Sequence, residues 1–66
     1  MEINNKVQDT LNKQINHEFH AAQLYLSMSA YFEDLNLGGF ASWMRKQFEE
    51  EKEHALKIFD FINDRN

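Results

Sequence analysis

The chain has 66 residues, and a chain this short buries little apolar surface unless it packs ideally or associates with a partner. It contains no cysteine, which excludes disulfide bonds and thiolate metal clusters. Its net charge of −4 argues against nucleic-acid binding. No apolar run approaches the roughly 18 residues of a membrane span, and the N-terminus lacks the apolar core of a signal peptide. We therefore expect an acidic, cytoplasmic protein that binds neither membrane nor nucleic acid and needs a protein partner.

The positions of helix breakers divide the chain into two long helical stretches. Proline is absent, and the only two glycines, Gly38 and Gly39, are adjacent. We predict a first helix over residues 5–35, a turn over 36–39 and a second helix over 39–64, each about 40 Å long. The predicted fold is all-α, with residues 1–66 forming an antiparallel two-helix hairpin. Such a hairpin is half of a four-helix bundle, to be completed by another chain or by further C-terminal helices.

Apolar residues recur at steps of three and four in both predicted helices, which is typical of helices packed in a bundle. The central stripe of the first helix is Val7, Leu11, Ile15, Glu18, Ala22, Tyr25, Ser29 and Phe32. The central stripe of the second helix is Phe40, Met44, Gln47, Glu51, His54, Ile58 and Phe61. Each helix also carries a second stripe, at positions 24, 28, 31 and 35 and at positions 48, 55, 59 and 62. A lone hairpin covers one stripe per helix, so we expect the other surface to meet a further helical segment.

Three polar residues interrupt the central stripes at one level of the hairpin. Glu18, Glu51 and His54 stand where Leu or Ile is expected, and a buried carboxylate costs several kcal/mol unless it is paired, protonated or bound to a cation. With a turn near residue 36, Glu18 lies opposite residues 54 to 56, within one helical turn of the other two. Carboxylates and imidazole suit divalent iron or manganese. The spacing therefore predicts half of a metal site.

Each of these residues also has an ordinary structural explanation. A Glu-x-x-His spacing occurs by chance in acidic helices, and the run Glu49–Glu51 is typical of a solvated helix face. Tyr25 follows Glu18 by one heptad, where it serves either as core with its hydroxyl bonded to a neighbour or as a side chain that orients a metal ligand. The agreement in depth between Glu18 and the Glu51–His54 pair favours the metal site.

Nearly the whole chain resembles the first half of a bacterial-type non-haem ferritin. The segments that carry the resemblance are LNKQINHEFHAAQLYLSMSAYF and GFASWMRKQFEEEKEHALKIFDFINDR, which are similar to helices A and B of that family. By position, Glu18 corresponds to a terminal ligand of the first iron, Glu51 to the carboxylate that bridges two irons, and His54 to the histidine on the first iron. Tyr25 corresponds to the tyrosine beside the ferroxidase centre, and Glu50 to a ligand of a third iron nearby.

The resemblance implies iron storage and oxidation of Fe(II) by dioxygen or peroxide at a di-iron centre. Glu18, Glu51, His54 and Tyr25 would then be the catalytic residues, and Glu50 would join the first three as a metal ligand. It also implies a homo-oligomer, at least a dimer and, for a full ferritin, a closed symmetric shell of about 24 subunits. The acidic surface around Glu50 would guide iron inward by electrostatic attraction.

The sequence differs from the pattern of the family in two respects. Bacterioferritins place a haem-ligating methionine directly after the bridging glutamate, and Lys52 occupies that position here, so no haem is expected. Family members also continue into two further helices that supply more carboxylates. The chain is therefore either a fragment or a half-ferritin that dimerises. The alternative function is a non-catalytic hairpin that serves only as a structural or oligomerisation module.

Overall fold

The computed structural model describes residues 4–65, which form two α-helices joined by a short linker. Helix α1 spans Asn5–Asp34 and helix α2 spans Gly38–Arg65, and the described residues contain no strand. The helices run antiparallel and pack along their lengths, giving Cα extents of 50 × 16 × 9 Å. The predicted all-α hairpin is confirmed, while residues 1–3 and 66 of the predicted domain lie outside the described residues.

The start of α1 is fixed by an asparagine cap. The side-chain oxygen of Asn4 accepts hydrogen bonds from the backbone N–H groups of Lys6 and Val7, at 2.9 and 3.1 Å. These two donors have no partner within the helix itself, so the cap replaces the water that would otherwise bind them. The helix therefore begins close to the predicted residue 5.

The turn lies earlier than the glycine pair predicts. Asn36 adopts a left-handed conformation with φ 59°, its N–H donates to the Glu33 carbonyl at 3.0 Å, and the Leu37 N–H donates to the Phe32 carbonyl at 2.8 Å. This pair of bonds is the Schellman arrangement that ends many helices. Helix α2 already begins at Gly38, and neither glycine has a positive φ, so the predicted turn over residues 36–39 is corrected to a linker of residues 35–37.

The two helices meet along a seam that the sequence predicts well for α1 and only in part for α2, where Met44, Glu51 and Ile58 lie in the seam as predicted. The seam residues of α1 are Leu11, Ile15, Glu18, Ala22, Tyr25, Ser29 and Phe32, as predicted, whereas Val7 is exposed. The seam residues of α2 are Ala41, Met44, Phe48, Glu51, Ala55, Ile58 and Ile62. The predicted Phe40, His54 and Phe61 lie outside the seam instead. Alanine at positions 41 and 55, which are 1% and 0% exposed, lets the helix axes approach closely at those two levels.

The end of the hairpin near the turn is held by contacts within the chain. The buried hydroxyl of Ser29 donates to the carbonyl of Ala41 at 2.8 Å, and the rings of Phe32 and Phe40 lie 5.4 Å apart. These contacts join the last turns of α1 to the first turns of α2, and so set the register that brings Glu18 level with α2. Neither described helix combines the length and apolarity needed to cross a membrane.

Candidate metal centre

Glu18, Glu51 and His54, here called the ligand cluster, come together at the middle of the hairpin. One possible ligand atom from each residue lies within 4.8 Å of the other two. Glu18 is supplied by α1, whereas Glu51 and His54 are three residues apart on α2 and therefore share a side of that helix. The sequence-predicted convergence of these three side chains is present in the structure.

The imidazole of His54 faces both carboxylates. Its Nδ1 lies 3.5 Å from an oxygen of Glu18 and 4.0 Å from an oxygen of Glu51. The glutamate side chains are sheltered, with 13% and 23% of their surfaces exposed, while the His54 side chain is 57% exposed. The two glutamates of the cluster therefore lie between the helices, and the cluster is open to solvent on the His54 side.

Gln14 is a fourth member of the site that sequence reasoning missed. Its side-chain amide donates a hydrogen bond to the second oxygen of Glu18 at 2.7 Å. Gln14 lies four residues before Glu18, on the same side of α1, and this spacing was the signal that could have identified it. The bond fixes the orientation of the Glu18 carboxylate and leaves its other oxygen directed at His54.

The two carboxyl groups of the ligand cluster perturb each other in opposite directions. A hydrogen bond from Glu51 is the main cause that lowers the pKa of Glu18, and Gln14 and His54 lower it further against the opposing effect of burial. The same hydrogen bond raises the pKa of Glu51, and burial and the negative charge of Glu18 add to the rise. The opposite directions show that the two neighbouring carboxylates repel when both are charged. A divalent cation would offset this repulsion.

The remaining candidates, Tyr25 and Glu50, lie outside the ligand cluster. Tyr25 is half-buried in the α1 seam, two turns beyond Glu18. Glu50 is exposed, and its negative charge contributes to the raised pKa of Glu51. The structure thus places Glu50 where its charge is felt at the cluster, whereas the roles of both residues toward iron stay predictions.

The neighbouring Glu49 belongs to a different environment. Its two carboxylate oxygens lie 3.2 Å from Arg45 and 3.2 Å from Lys52, on the solvated side of α2. Hydrogen bonds from Lys52 and then Arg45 lower the pKa of Glu49. This glutamate already has its compensating cations, so it matches the ordinary interpretation of the acidic run and provides a control for Glu51.

The ligand cluster has the chemistry of a divalent metal site. Two carboxylates carry the charge that neutralises one divalent cation, and a neutral imidazole nitrogen adds a further ligand that iron, manganese and zinc accept. Such a pattern of one glutamate on one helix and Glu-x-x-His on the next defines one half of a di-metal carboxylate four-helix bundle.

Comparison with known proteins identifies the family. The ferritin-like domain family matches residues 8–66, so the chain belongs to that family. It is 46% identical over 63 residues to a bacterial non-heme ferritin of Staphylococcus saprophyticus, covering 96% of this chain and 38% of that protein. It is 48% identical over 60 residues to a bacterial non-heme ferritin of Bacteroides fragilis, covering 91% and 38%.

A solved structure gives the same result for the fold. The chain superposes on an open pore ferritin from the hyperthermophilic archaeon Archaeoglobus fulgidus with a TM-score of 0.92 and 50% identity, covering 97% of this chain and 39% of that one. The hairpin is therefore the helix pair that the resemblance to ferritins predicts. The chain spans less than two fifths of the length of these relatives.

Proposed function

We propose that this chain serves iron storage and Fe(II) oxidation, and that it carries half of a di-iron ferroxidase centre. The observation that carries the proposal is the convergence of Glu18, Glu51 and His54 within 4.8 Å, in a chain of the ferritin-like domain family. The names of the bacterial relatives, non-heme ferritins, support the same conclusion. The proposed compartment is the cytoplasm, as expected from the sequence.

Each residue of the ligand cluster has a distinct task in this proposal. Glu51 would bridge the two irons, since it is central in the seam and lies close to both Glu18 and His54. Glu18 and His54 hold one iron from opposite helices, and Gln14 keeps the Glu18 carboxylate oriented. Tyr25 orders the site from the next turns of α1. Glu50, exposed beside the cluster, attracts further iron by its charge and forms part of a third iron site.

Iron is the substrate of the proposed reaction. Each of two Fe(II) ions gives up one electron, and dioxygen accepts both electrons with two protons and leaves as hydrogen peroxide. With peroxide as oxidant, the same two electrons and two protons cleave the O–O bond to give two waters. The carboxylates bind Fe(III) more strongly than Fe(II) because its charge is larger, which favours the electron loss. The ferric product then passes into the mineral of an oligomeric shell.

Fe(II) oxidation by variants of the ligand cluster tests this proposal. The ultraviolet absorbance of the ferric product is followed after anaerobic Fe(II) is mixed with the chain in aerated buffer. We expect Glu51→Ala and His54→Ala to slow the oxidation by at least about tenfold, with helix content by circular dichroism unchanged. Glu49→Gln is the control and should keep the wild-type rate, since its carboxylate is bound to Arg45 and Lys52. Equal rates for wild type and Glu51→Ala would overturn the proposal.

The alternative function, an inert oligomerisation hairpin, is supported by the apolar side chains left on the surface. Leu24, Met28, Phe59 and Phe61 are all more than 40% exposed, as expected of a hairpin that packs against further helices. An inert hairpin would assemble to the same extent with Fe(II) and with chelator, whereas assembly of a metal site is stabilised by its metal.

A further inference from the structure

The two oxygens of the Glu18 carboxylate have different surroundings. The amide nitrogen of Gln14 donates a hydrogen bond to one of them at 2.7 Å, whereas the other lies 3.5 Å from Nδ1 of His54. A carboxylate only accepts hydrogen bonds, so the Gln14 amide must turn its nitrogen toward it. Glu18 therefore presents one oxygen to the ligand cluster, while the other is occupied by the amide.

We infer that Gln14 determines which divalent cations the ligand cluster selects, because its hydrogen bond limits Glu18 to one coordinating oxygen. The inference rests on the proposed function and adds to it a residue that sets the specificity of the same site. Gln14 contacts no cation in this arrangement. It is a positioning residue that acts through Glu18.

The hydrogen bond between Gln14 and Glu18 is local to α1. The two residues are four positions apart and therefore lie on the same side of the helix. Gln14 is exposed, whereas the Glu18 side chain is only 13% exposed, so the amide holds the carboxylate from its solvent side. The bond needs no contact from another helix.

The neutrality of the Gln14 amide distinguishes Glu18 from Glu49. The two oxygens of Glu49 lie 3.2 Å from Arg45 and 3.2 Å from Lys52, so positive charges already compensate that carboxylate. Glu18 has a neutral donor instead. Its orientation is fixed while its negative charge stays available to a metal ion.

A glutamate that offers one oxygen favours transition-metal ions over calcium. Ca(II) takes six to eight oxygen ligands and often binds a carboxylate through both oxygens. Iron and cobalt accept fewer ligands, and imidazole suits iron better than it suits calcium. A cluster in which Gln14 occupies one Glu18 oxygen and His54 supplies a nitrogen therefore penalises Ca(II) more than Fe(II), the proposed substrate.

The relative affinities of the protein for Co(II) and Ca(II) test the inference. Co(II) stands in for Fe(II) because it reports binding by its visible spectrum, and Ca(II) is measured by its competition with Co(II). Gln14→Met keeps the length of the side chain but removes the donor. We expect it to lower the ratio of Co(II) affinity to Ca(II) affinity by at least about tenfold. A ratio equal to that of wild type would overturn the inference.

Gln47→Met is the matched control on the other helix. Gln47 stands four residues before Glu51, at the spacing of Gln14 before Glu18, but no hydrogen bond joins Gln47 to Glu51 among the described residues. We expect this variant to keep the wild-type ratio of affinities. A loss of selectivity as large as that of Gln14→Met would mean that the hydrogen bond is not its cause, and would refute the inference.

Gln14→Lys separates the hydrogen bond from the charge of the side chain. Lysine can still donate to Glu18 but places a positive charge near the cation, so both ions should bind more weakly and to a similar degree. The ratio of their affinities should therefore stay near that of wild type. If Gln14→Lys lost selectivity to the same extent as Gln14→Met, the inference would fail.

Infrared difference spectra report the coordination of Glu18 independently of affinity. The asymmetric and symmetric carboxylate stretches lie further apart when one oxygen binds a metal than when both do. We expect Gln14→Met with Ca(II) to shift intensity toward the narrower separation, an effect that a role in folding alone would not produce. Identical spectra for wild type and Gln14→Met would contradict the inference.

The same measurements distinguish the failure of this inference from the failure of the proposed function. If wild type binds Co(II) and Gln14→Met has the same selectivity, the metal site stands and only the role of Gln14 fails. If wild type binds no Co(II), the proposed function fails and the inference fails with it.

Discussion

The turn end of the hairpin and its centre contrast in how their polar groups are satisfied. Near the turn, backbone and side-chain groups are paired within the chain: Ser29 donates to the Ala41 carbonyl, and the N–H groups of Asn36 and Leu37 close α1. At the centre, Glu18 and Glu51 face each other with one exposed histidine beside them. The turn end is therefore organised for stability, whereas the centre holds two carboxyl groups whose negative charges repel each other.

The largest effect on stability is expected from overfilling the turn end. Ala41 is 1% exposed and its carbonyl receives the Ser29 hydroxyl, so Ala41→Leu should push the helices apart and cost about 2–3 kcal/mol. Urea denaturation followed by circular dichroism measures the change. Ala30→Leu, at an exposed position of α1, is the control and should change stability by no more than about 0.5 kcal/mol. Equal losses in both variants would mean that the seam is not closely packed at Ala41.

The next largest loss of stability is expected at Asn36, the left-handed residue of the linker. Asn36 has φ 59°, a conformation that costs residues with a Cβ about 1–2 kcal/mol, and less for asparagine. Asn36→Ala should therefore lower the free energy of unfolding by about 1 kcal/mol. Asn36→Gly is the matched control and should change it by only a few tenths of a kcal/mol. A harmless Asn36→Ala would contradict the assignment of the turn to this residue.

Much of the arrangement at the turn end and at the centre could be predicted from the sequence. Which face of α2 packs against α1 could not. Steps of three and four fit two overlapping stripes in α2, which share Met44, Glu51 and Ile58. One of them adds Phe40 and Phe61, and the other adds Ala41, Phe48, Ala55 and Ile62. Hydrophobicity favours burial of Phe40 and Phe61, whereas close packing of two helices favours burial of alanine. The buried residues are Ala41 and Ala55, so close packing decides which face is buried.

The level of the ligand cluster along the hairpin, unlike the buried face of α2, was predictable from the sequence. Levels along two antiparallel helices depend on where the chain turns, and an error of one residue in the turn shifts the opposite residue by two, or about 3 Å. The conformation of the turn itself was not predictable from the glycine pair. Asn36 forms the left-handed cap, and the sequence Asn-Leu-Gly-Gly offers three candidates for that position. The roles of Tyr25 and Glu50 toward iron stay predictions, because neither belongs to the group of three ligands that the structure brings together.

A smaller change in the free energy of unfolding, this time an increase, is expected at Gly39, which the sequence wrongly placed in the turn. Gly39 is helical with no positive φ, and a Cβ added to it meets no atom within 4 Å. Gly39→Ala should stabilise the hairpin by about 0.4–1 kcal/mol, because alanine loses less conformational entropy on folding. Thermal unfolding by circular dichroism measures it, and a destabilised Gly39→Ala would return the turn to the glycine pair.

The smallest expected change in stability is that of Glu51→Gln, measured in the presence of chelator. It tests the centre of the hairpin. The glutamine can still donate a hydrogen bond to Glu18 but carries no charge. Because the pKa of Glu51 is raised in the folded chain, wild type should lose stability as pH rises from the ordinary glutamate value of 4.5 through the raised pKa, where the folded state must give up its extra proton. Glu51→Gln removes this loss, so the variant should be the more stable by about 0.5 kcal/mol at pH 8 and show a smaller advantage at pH 5.

Glu49→Gln is the matched control for that measurement and should respond in the opposite direction. Its pKa is lowered by Lys52 and Arg45, so its charge stabilises the folded chain above pH 4.5 and the variant should melt at a lower temperature at pH 8. Thermal melts of wild type and both variants at the two pH values therefore distinguish a glutamate that has its cations from one that lacks them. If Glu51→Gln also melted lower at pH 8, its carboxylate would stabilise the metal-free hairpin. The centre would then be organised like the turn end, for stability and not for a cation.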